Sequence, residues 1–408
     1  MAIVNPFRAL RPVPEKAEFV SCVPYDIVSE PEVRELISEN PDSFLRVTRP
    51  EADFAAGGVT TQAEVLKRAQ EQLERFVREN ILFQEAEPCL YVYRLAAEGQ
   101  QQTGMVGCCS LDDYDQDIIK KHEKTRPDKV RDRTDHMLSL KAQTGLIFLA
   151  FRGTDETRQL IAQTVAGEPI YDFACPKGVR QTVWRVTETS DLSGAFERIP
   201  ALYIADGHHR AESAALARRE MRDSNANHTG GEEYNFVMAG IFPAEDLKIL
   251  AYNRVVRDLN GLTDDAFLEG LRQNFVVTES SERQPQQRGE FCMYLGGKWN
   301  NLRYNVNYVR EPDPLDRLDV QILQQTVLKP LLGIDDPRTN ERITFVGGGR
   351  GIDELEKLVD EGDSKVAFSL FPTTMDDLLA VSDMGEIMPP KSTWFEPKLK
   401  DGLFVHLI

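Results

Sequence analysis

The sequence predicts a mixed α+β protein built from more than one compact unit. The chain has 408 residues, and a single core stops growing at about 250–300 residues. Short apolar runs that read as strands alternate with amphipathic helical stretches, with no internal repeat. An apolar content of 41% with 28% charged residues is that of an ordinary globular chain and of no fibrous or disordered class.

The elements follow in order. Residues 1–60 are rich in Pro, with short apolar runs and a break at Gly57-Gly58. Thr61-Gln62-Ala63-Glu64 is a capping-box pattern, and Val65, Leu66, Ala69, Leu73, Phe76 and Val77 follow at helical spacing, so a helix is predicted over 62–80. Cys89–Leu95 and Gly104–Leu111 read as strands joined by a Gln-rich turn. The charged stretch 112–142 reads as two helices, Asp117–Lys124 and Asp128–Lys141. A buried strand over Gly145–Phe151, a helix over Thr154–Val165 and short strands and turns over 166–200 come next.

Ala201–Ala205 is an apolar strand that runs into Asp206-Gly207-His208-His209-Arg210 and then an Ala-rich helix, 211–222. A polar loop over 223–233, strands over 235–242 and 248–256 and a helix over 263–274 follow. A β pair over 290–307 leads to a long helix over 316–331 ending at Gly333. Strand 343–346, helix 352–360, strand 365–371, helix 373–383 and strand 402–407 complete the pattern.

Charge and cysteine usage restrict the function. The formal net charge is −18, and such a surface repels polyanions, so DNA or RNA is not expected as the main ligand. The six cysteines at 22, 89, 108, 109, 175 and 292 include no C-x-x-C pair, which removes zinc-ribbon and thioredoxin-type readings. The vicinal Cys108-Cys109 pair reads as two buried small residues. No apolar stretch approaches the roughly 18 residues needed to span a bilayer. With no export signal at the start of the sequence, free thiols indicate the cytoplasm.

The strand–turn–helix at 201–222 carries the chemistry. Gly207 permits a left-handed turn, and the helix it opens offers free N–H groups to an anion. His208, His209 and Arg210 add donors, while Asp206 supplies a carboxylate suited to a metal ion or a reacting hydroxyl. The plain alternative is a helix cap with surface histidines. Lys121-His122-Glu123-Lys124 taken alone is a solvated charged helix. Gly347-Gly348-Gly349-Arg350-Gly351 lacks the G-K-[ST] ending of a P-loop and reads as a mobile turn. Pro24-Tyr25-Asp26 marks a turn, and Met388-Pro389-Pro390-Lys391-Ser392-Thr393 a rigid extended segment with one ammonium and two hydroxyls.

The whole chain resembles the family catalogued as domain of unknown function 1015. The resemblance rests on Asn5–Pro12, Val23–Ser29, Asn40–Leu45, Lys121-His122-Glu123, Asp206–Arg210 and Met388–Lys398. From about residue 115 onward it is also distantly similar to the free serine kinases of the ParB/sulfiredoxin superfamily. Those kinases have a His-Glu step, an apolar strand ending in Asp-Gly-His-His-Arg and a C-terminal Pro-Lys-Thr-Thr segment. The same order stands here as His122-Glu123, Asp206–Arg210 and Pro390-Lys391-Ser392-Thr393.

That second resemblance implies roles. Glu123 would be the base on a serine hydroxyl, Asp206 a second catalytic group and the ligand of Mg²⁺, and Gly207, His208, His209 and Arg210 the holders of nucleotide phosphates. Lys391, Ser392 and Thr393 would hold substrate, with His122, Tyr25 and Asp26 as possible additions. Trp394-Phe395 replaces a basic pair of the kinases, and Arg254 could anchor the substrate carboxylate instead. The implied organisation is an α/β unit of unknown role over 1–105, a ParB/sulfiredoxin-like catalytic unit over 106–258 and an α+β unit completing the substrate site over 259–408. The implied activity is transfer of a phosphoryl group from ATP or ADP to free L-serine. The competing readings are a ParB-like nucleotide switch and a metal-dependent hydrolase using His122, Glu123, His208 and His209. Adjacent histidines on a helix do not share a face, which disfavours the latter.

Overall fold

A computed structural model describes residues 1–55, 60–175, 178–305 and 313–408. The expected break at Gly57-Gly58 and residues 306–307 of the expected β pair lie outside the described residues. The chain is mixed α+β, with thirteen α-helices and several sheets among the described residues. It forms two compact units: unit 1 takes residues 1–121, 125–247 and 397–408, and unit 2 takes 122–124 and 248–396. Residue 105, where a boundary was expected, lies inside the strand Gln100–Ser110.

Unit 1 is organised by a nine-stranded mixed sheet. Its order is 119–120, 202–206, 147–151, 236–243, 100–110, 90–97, 180–186, 171–174, with Val4–Asn5 also against 100–110. Two of its pairings are parallel, 202–206 with 119–120 and 236–243 with 147–151. Both strands of the second pair are buried along nearly their whole length, as parallel strands covered on two faces must be. The 17-residue helix His208–Ser224 lies in the same core through Ala211, Ala214, Ala215 and Ala217, small side chains that permit close approach to Ile147, Leu149 and Ile204.

A second cluster in unit 1 gathers around helix Gln62–Arg78, whose predicted capping box is formed by Thr61 and Glu64. Phe76 and Phe44, both fully buried, meet edge to face at 6.0 Å. Removing a side chain of this size from water stabilises by roughly 1.5–3 kcal/mol. Unit 2 is built on a six-stranded antiparallel sheet in the order 275–279, 298–304, 290–295, 366–370, 252–256, 343–347. Its core includes Val255, Cys292, Trp299, Val346 and Leu355.

Several expectations are corrected. Asp117–Lys124 is not a helix: Asp117 takes the left-handed conformation, and Ile119–Lys120 joins the sheet beside Leu202–Tyr203. The stretch 190–197, read as strands and turns, is a helix. Strand 248–256 divides into Lys248–Leu250 and Tyr252–Val256, which belong to different sheets. The long helix over 316–331 is a short α-helix, Asp319–Leu323, followed by a π-helical turn, Gln324–Leu328. There the Thr326 hydroxyl bonds back to the Ile322 carbonyl at 2.6 Å, competing with the regular ladder. Strand 402–407 shortens to His406–Leu407.

Candidate functional site

The strand Leu202–Asp206 is buried up to its last residue, and its register against 147–151 shifts between Ile204 and Asp206. That irregularity re-aims Asp206 at the strand end. Gly207 follows with φ +97° and ψ 28°. A Cβ here would meet the Arg210 guanidinium at 3.2 Å and the Ile147 backbone at 3.3 Å, so both conformation and space require glycine. The helix begins at once, the Gly207 carbonyl accepting from the Ala211 N–H at 2.9 Å. The N–H groups at such a helix start and the helix dipole favour an anion.

The side chains of the turn divide their tasks differently from expectation. Arg210 points inward: it is 9% exposed, donates to the Leu146 carbonyl and lies 3.8 Å from Asp206. Burial opposes its charge, but Asp26, Asp206 and Asp401 outweigh burial and push its pKa up. His209 Nε2 accepts the Arg126 N–H at 3.0 Å, which puts the ring proton on Nδ1 and leaves that face an acceptor. His208 is buried. Asp206 forms a 2.9 Å ion pair with Lys398.

Tyr25, from the N-terminal segment, comes to the same place. With Arg133, His136, Gln143, Gly145 and Arg210 it lines a cavity of about 30 Å³, room for a water or two. The Arg133 guanidinium sits 4.5 Å from the centre of the Tyr25 ring. The exposed Asp26 acts on Arg210 through its charge. Asp401 is buried, accepts the Tyr25 N–H, and its carboxyl is pushed up to about 7 by burial against the pull of Arg210. Burial likewise lowers His136 to about 4, its Nε2 donating to the Val47 carbonyl at 2.9 Å.

Unit 2 gathers the remaining candidates. His122 is 2% exposed, and its carbonyl accepts the Met388 N–H at 2.9 Å. Its Nε2 lies 3.5 Å from the Thr393 hydroxyl. The segment is therefore not a solvated helix, and half-buried Glu123 sits in a bend. Ser392 is turned inward, donating to the Pro389 carbonyl at 2.6 Å. Lys391 takes a left-handed conformation and is exposed, with Nζ 5.7 Å from the Tyr252 ring centre. Arg254 is 2% exposed and donates to the Pro390 carbonyl at 3.1 Å and to the Tyr252 carbonyl. Burial pushes its guanidinium down to about 9. At the start of the Gly347–Gly351 loop Trp394 packs so closely that a Cβ on Gly347 would collide with it, while Gly351 at its end has open space around it.

The chain belongs to the DUF1015 family. The match, to the family described as "Protein of unknown function (DUF1015)", covers residues 4–321. It takes in Glu123, Asp206–Arg210 and Arg254, and Lys391–Thr393 lie beyond it. No curated protein sequence matches this DUF1015 chain. A conserved hypothetical protein from Pyrococcus furiosus is similar at 17% identity, covering 74% of this chain and 95% of its own, with a TM-score of 0.38. SbnI from Staphylococcus aureus, truncated at its C-terminus, gives 12%, 74%, 87% and 0.39. A free serine kinase in complex with AMP gives 14%, 73%, 91% and 0.35.

Two residues of the candidate site escape the sequence reading. Lys398 lay in a stretch noted for its resemblance but was given no role, and Asp401 carried no motif. The usable signal was a Lys-Leu-Lys-Asp run at 398–401. Among the described residues no group of three or more His, Cys, Asp or Glu could hold a metal ion. Mg²⁺ is commonly bound through one or two carboxylates plus substrate phosphates; within the turn 206–210 only Asp206 carries a carboxylate, and Lys398 pairs with it at 2.9 Å. No helix among the described residues is long and apolar enough to cross a membrane, and all six cysteines are buried thiols.

Proposed function

We propose that this protein is a nucleotide-dependent phosphotransferase that converts free L-serine to O-phospho-L-serine, with ATP or ADP as donor. The observation that carries the reading is the Gly207 turn: it sets a carboxylate at a strand end and opens a 17-residue helix whose first N–H groups can take phosphate oxygens. The order of His122-Glu123, Asp206–Arg210 and Pro390–Thr393 supports a ParB/sulfiredoxin-like kinase arrangement. The −18 charge suits small-molecule partners over nucleic acid.

The serine hydroxyl attacks the terminal phosphorus, its proton passes to the Glu123 carboxylate, and the shortened nucleotide leaves with the bridging oxygen. His208, His209 and Gly207 serve the phosphates with the helix start, while Arg210 braces the turn from inside. Lys391 and Thr393 hold the acceptor, Ser392 braces their segment from inside, and Arg254 meets the acceptor carboxylate. Mg²⁺ on the nucleotide, held by Asp206, would neutralise phosphate charge.

The direct experiment is ³¹P NMR of the protein with Mg²⁺, ATP or ADP and a panel of amino acids. A phosphoserine signal with serine alone is expected. Glu123→Gln keeps shape and removes basicity, so turnover should fall by roughly 10²–10⁴ while nucleotide binding survives. Near-normal turnover in that variant would transfer the base role to Asp206, and nucleotide binding with no transfer to any amino acid would favour the switch reading.

A further inference from the structure

We infer that Lys398 is the cation that meets the nucleotide phosphates at the Asp206–Arg210 turn. The inference rests on the kinase reading and names a ligand-binding residue that reading lacked. It follows from what the expected cations are doing. Arg210 is buried, bonded to the Leu146 carbonyl and surrounded by the charges of Asp26, Asp206 and Asp401. His209 presents an acceptor nitrogen to the Arg126 N–H. Lys398 Nζ instead stands 2.9 Å from Asp206 Oδ2, on the carboxylate that immediately precedes the helix start, with 12% of its side chain exposed.

Asp206 gives this nearly buried ammonium its counter-charge. An ammonium has three donors in rotatable positions, so it can serve a carboxylate and a phosphate oxygen together. The three acids Asp26, Asp206 and Asp401 already offset Arg210. Lys398 adds a positive charge beside Asp206, next to the helix start whose N–H groups invite an anion. The ligand class is therefore a phosphate-bearing nucleotide, with affinity rising through the phosphates and little through the nucleoside.

The test compares adenosine and ADP binding by calorimetry, without Mg²⁺, in the parent protein and in Lys398→Ala and Lys398→Arg. Lys398→Ala is expected to weaken ADP by about tenfold or more, equivalent to about 1.4 kcal/mol, and to leave adenosine unchanged, with Lys398→Arg recovering most of the loss. Unchanged ADP affinity overturns the inference. So does an equal loss for adenosine and ADP, because a merely structural lysine would affect both alike. Should Lys398→Ala fail to fold, Lys398→Gln replaces it in the same comparison. A parent protein that binds no ADP overturns the kinase reading itself, an outcome distinct from ADP binding that ignores Lys398.

Discussion

Arg210 in unit 1 and Arg254 in unit 2 are both buried, 9% and 2% exposed, yet they are opposite kinds of cation. Arg210 has three carboxylates acting on it, and its charge is held more firmly than in water. Arg254 has two carbonyls and the Phe345 ring 5.1 Å away; among the described residues no carboxylate pairs with it, and its charge is held less firmly. Burial alone therefore does not say what a charged side chain is for. A cation with its counter-charges supplied belongs to the scaffold, whereas one without them is a place where an anion would be welcome.

The contrast can be broken by experiment. Arg210→Met leaves Asp401 without its guanidinium and Asp206 with Lys398 alone, and should cost about 3–5 kcal/mol in urea unfolding, whereas Arg254→Met should be close to neutral. Equal losses would make both arginines structural. Next in size, Arg254→Met should raise the KM for serine about tenfold, or about 1.4 kcal/mol, and spare nucleotide affinity. An unchanged KM would remove Arg254 from the acceptor site.

The smallest expected effect concerns pH. Burial lifts Asp401 to about 7, above the ordinary carboxylate value, so the fold holds a proton that the unfolded chain has released. Its contribution to stability is complete below about pH 4 and is lost as pH rises through about 7. Asp401→Asn cannot titrate, so its melting temperature should gain on that of the parent protein from pH 5 to pH 8. A constant difference would mean that Arg210 keeps Asp401 ionised throughout.

What could be read from the sequence was what is locally encoded. The unit 201–224 announced itself because an apolar run, a glycine and an Ala-rich helix are consecutive. Helix 62–78 did so through Thr61 and Glu64. Helix Glu30–Glu39 has the same Ser29–Glu32 box and was lost among the prolines. Ile119–Lys120 has a helical charge pattern around it, and only a partner some eighty residues away makes it a strand. The ion pair of Lys398 with Asp206 joins residues 192 apart, and no local pattern records that. The direction of Arg210 was equally hidden, because its position in the motif gives its spacing and not the side to which it turns.

Residues 397–408 return to unit 1 after the whole of unit 2: Asp401 exchanges backbone bonds with Cys22, Val405 with Leu10, and His406–Leu407 pairs with Ala142–Gln143. On the ribosome, where folding generally starts from the N-terminal side, this places the closing contacts of unit 1 behind the synthesis of unit 2. A nascent chain stalled anywhere before residue 397 lacks these backbone partners and the lysine that pairs with Asp206. On the proposed reading, such a product also lacks a residue of its nucleotide site, so the route of the chain would keep unfinished copies inactive.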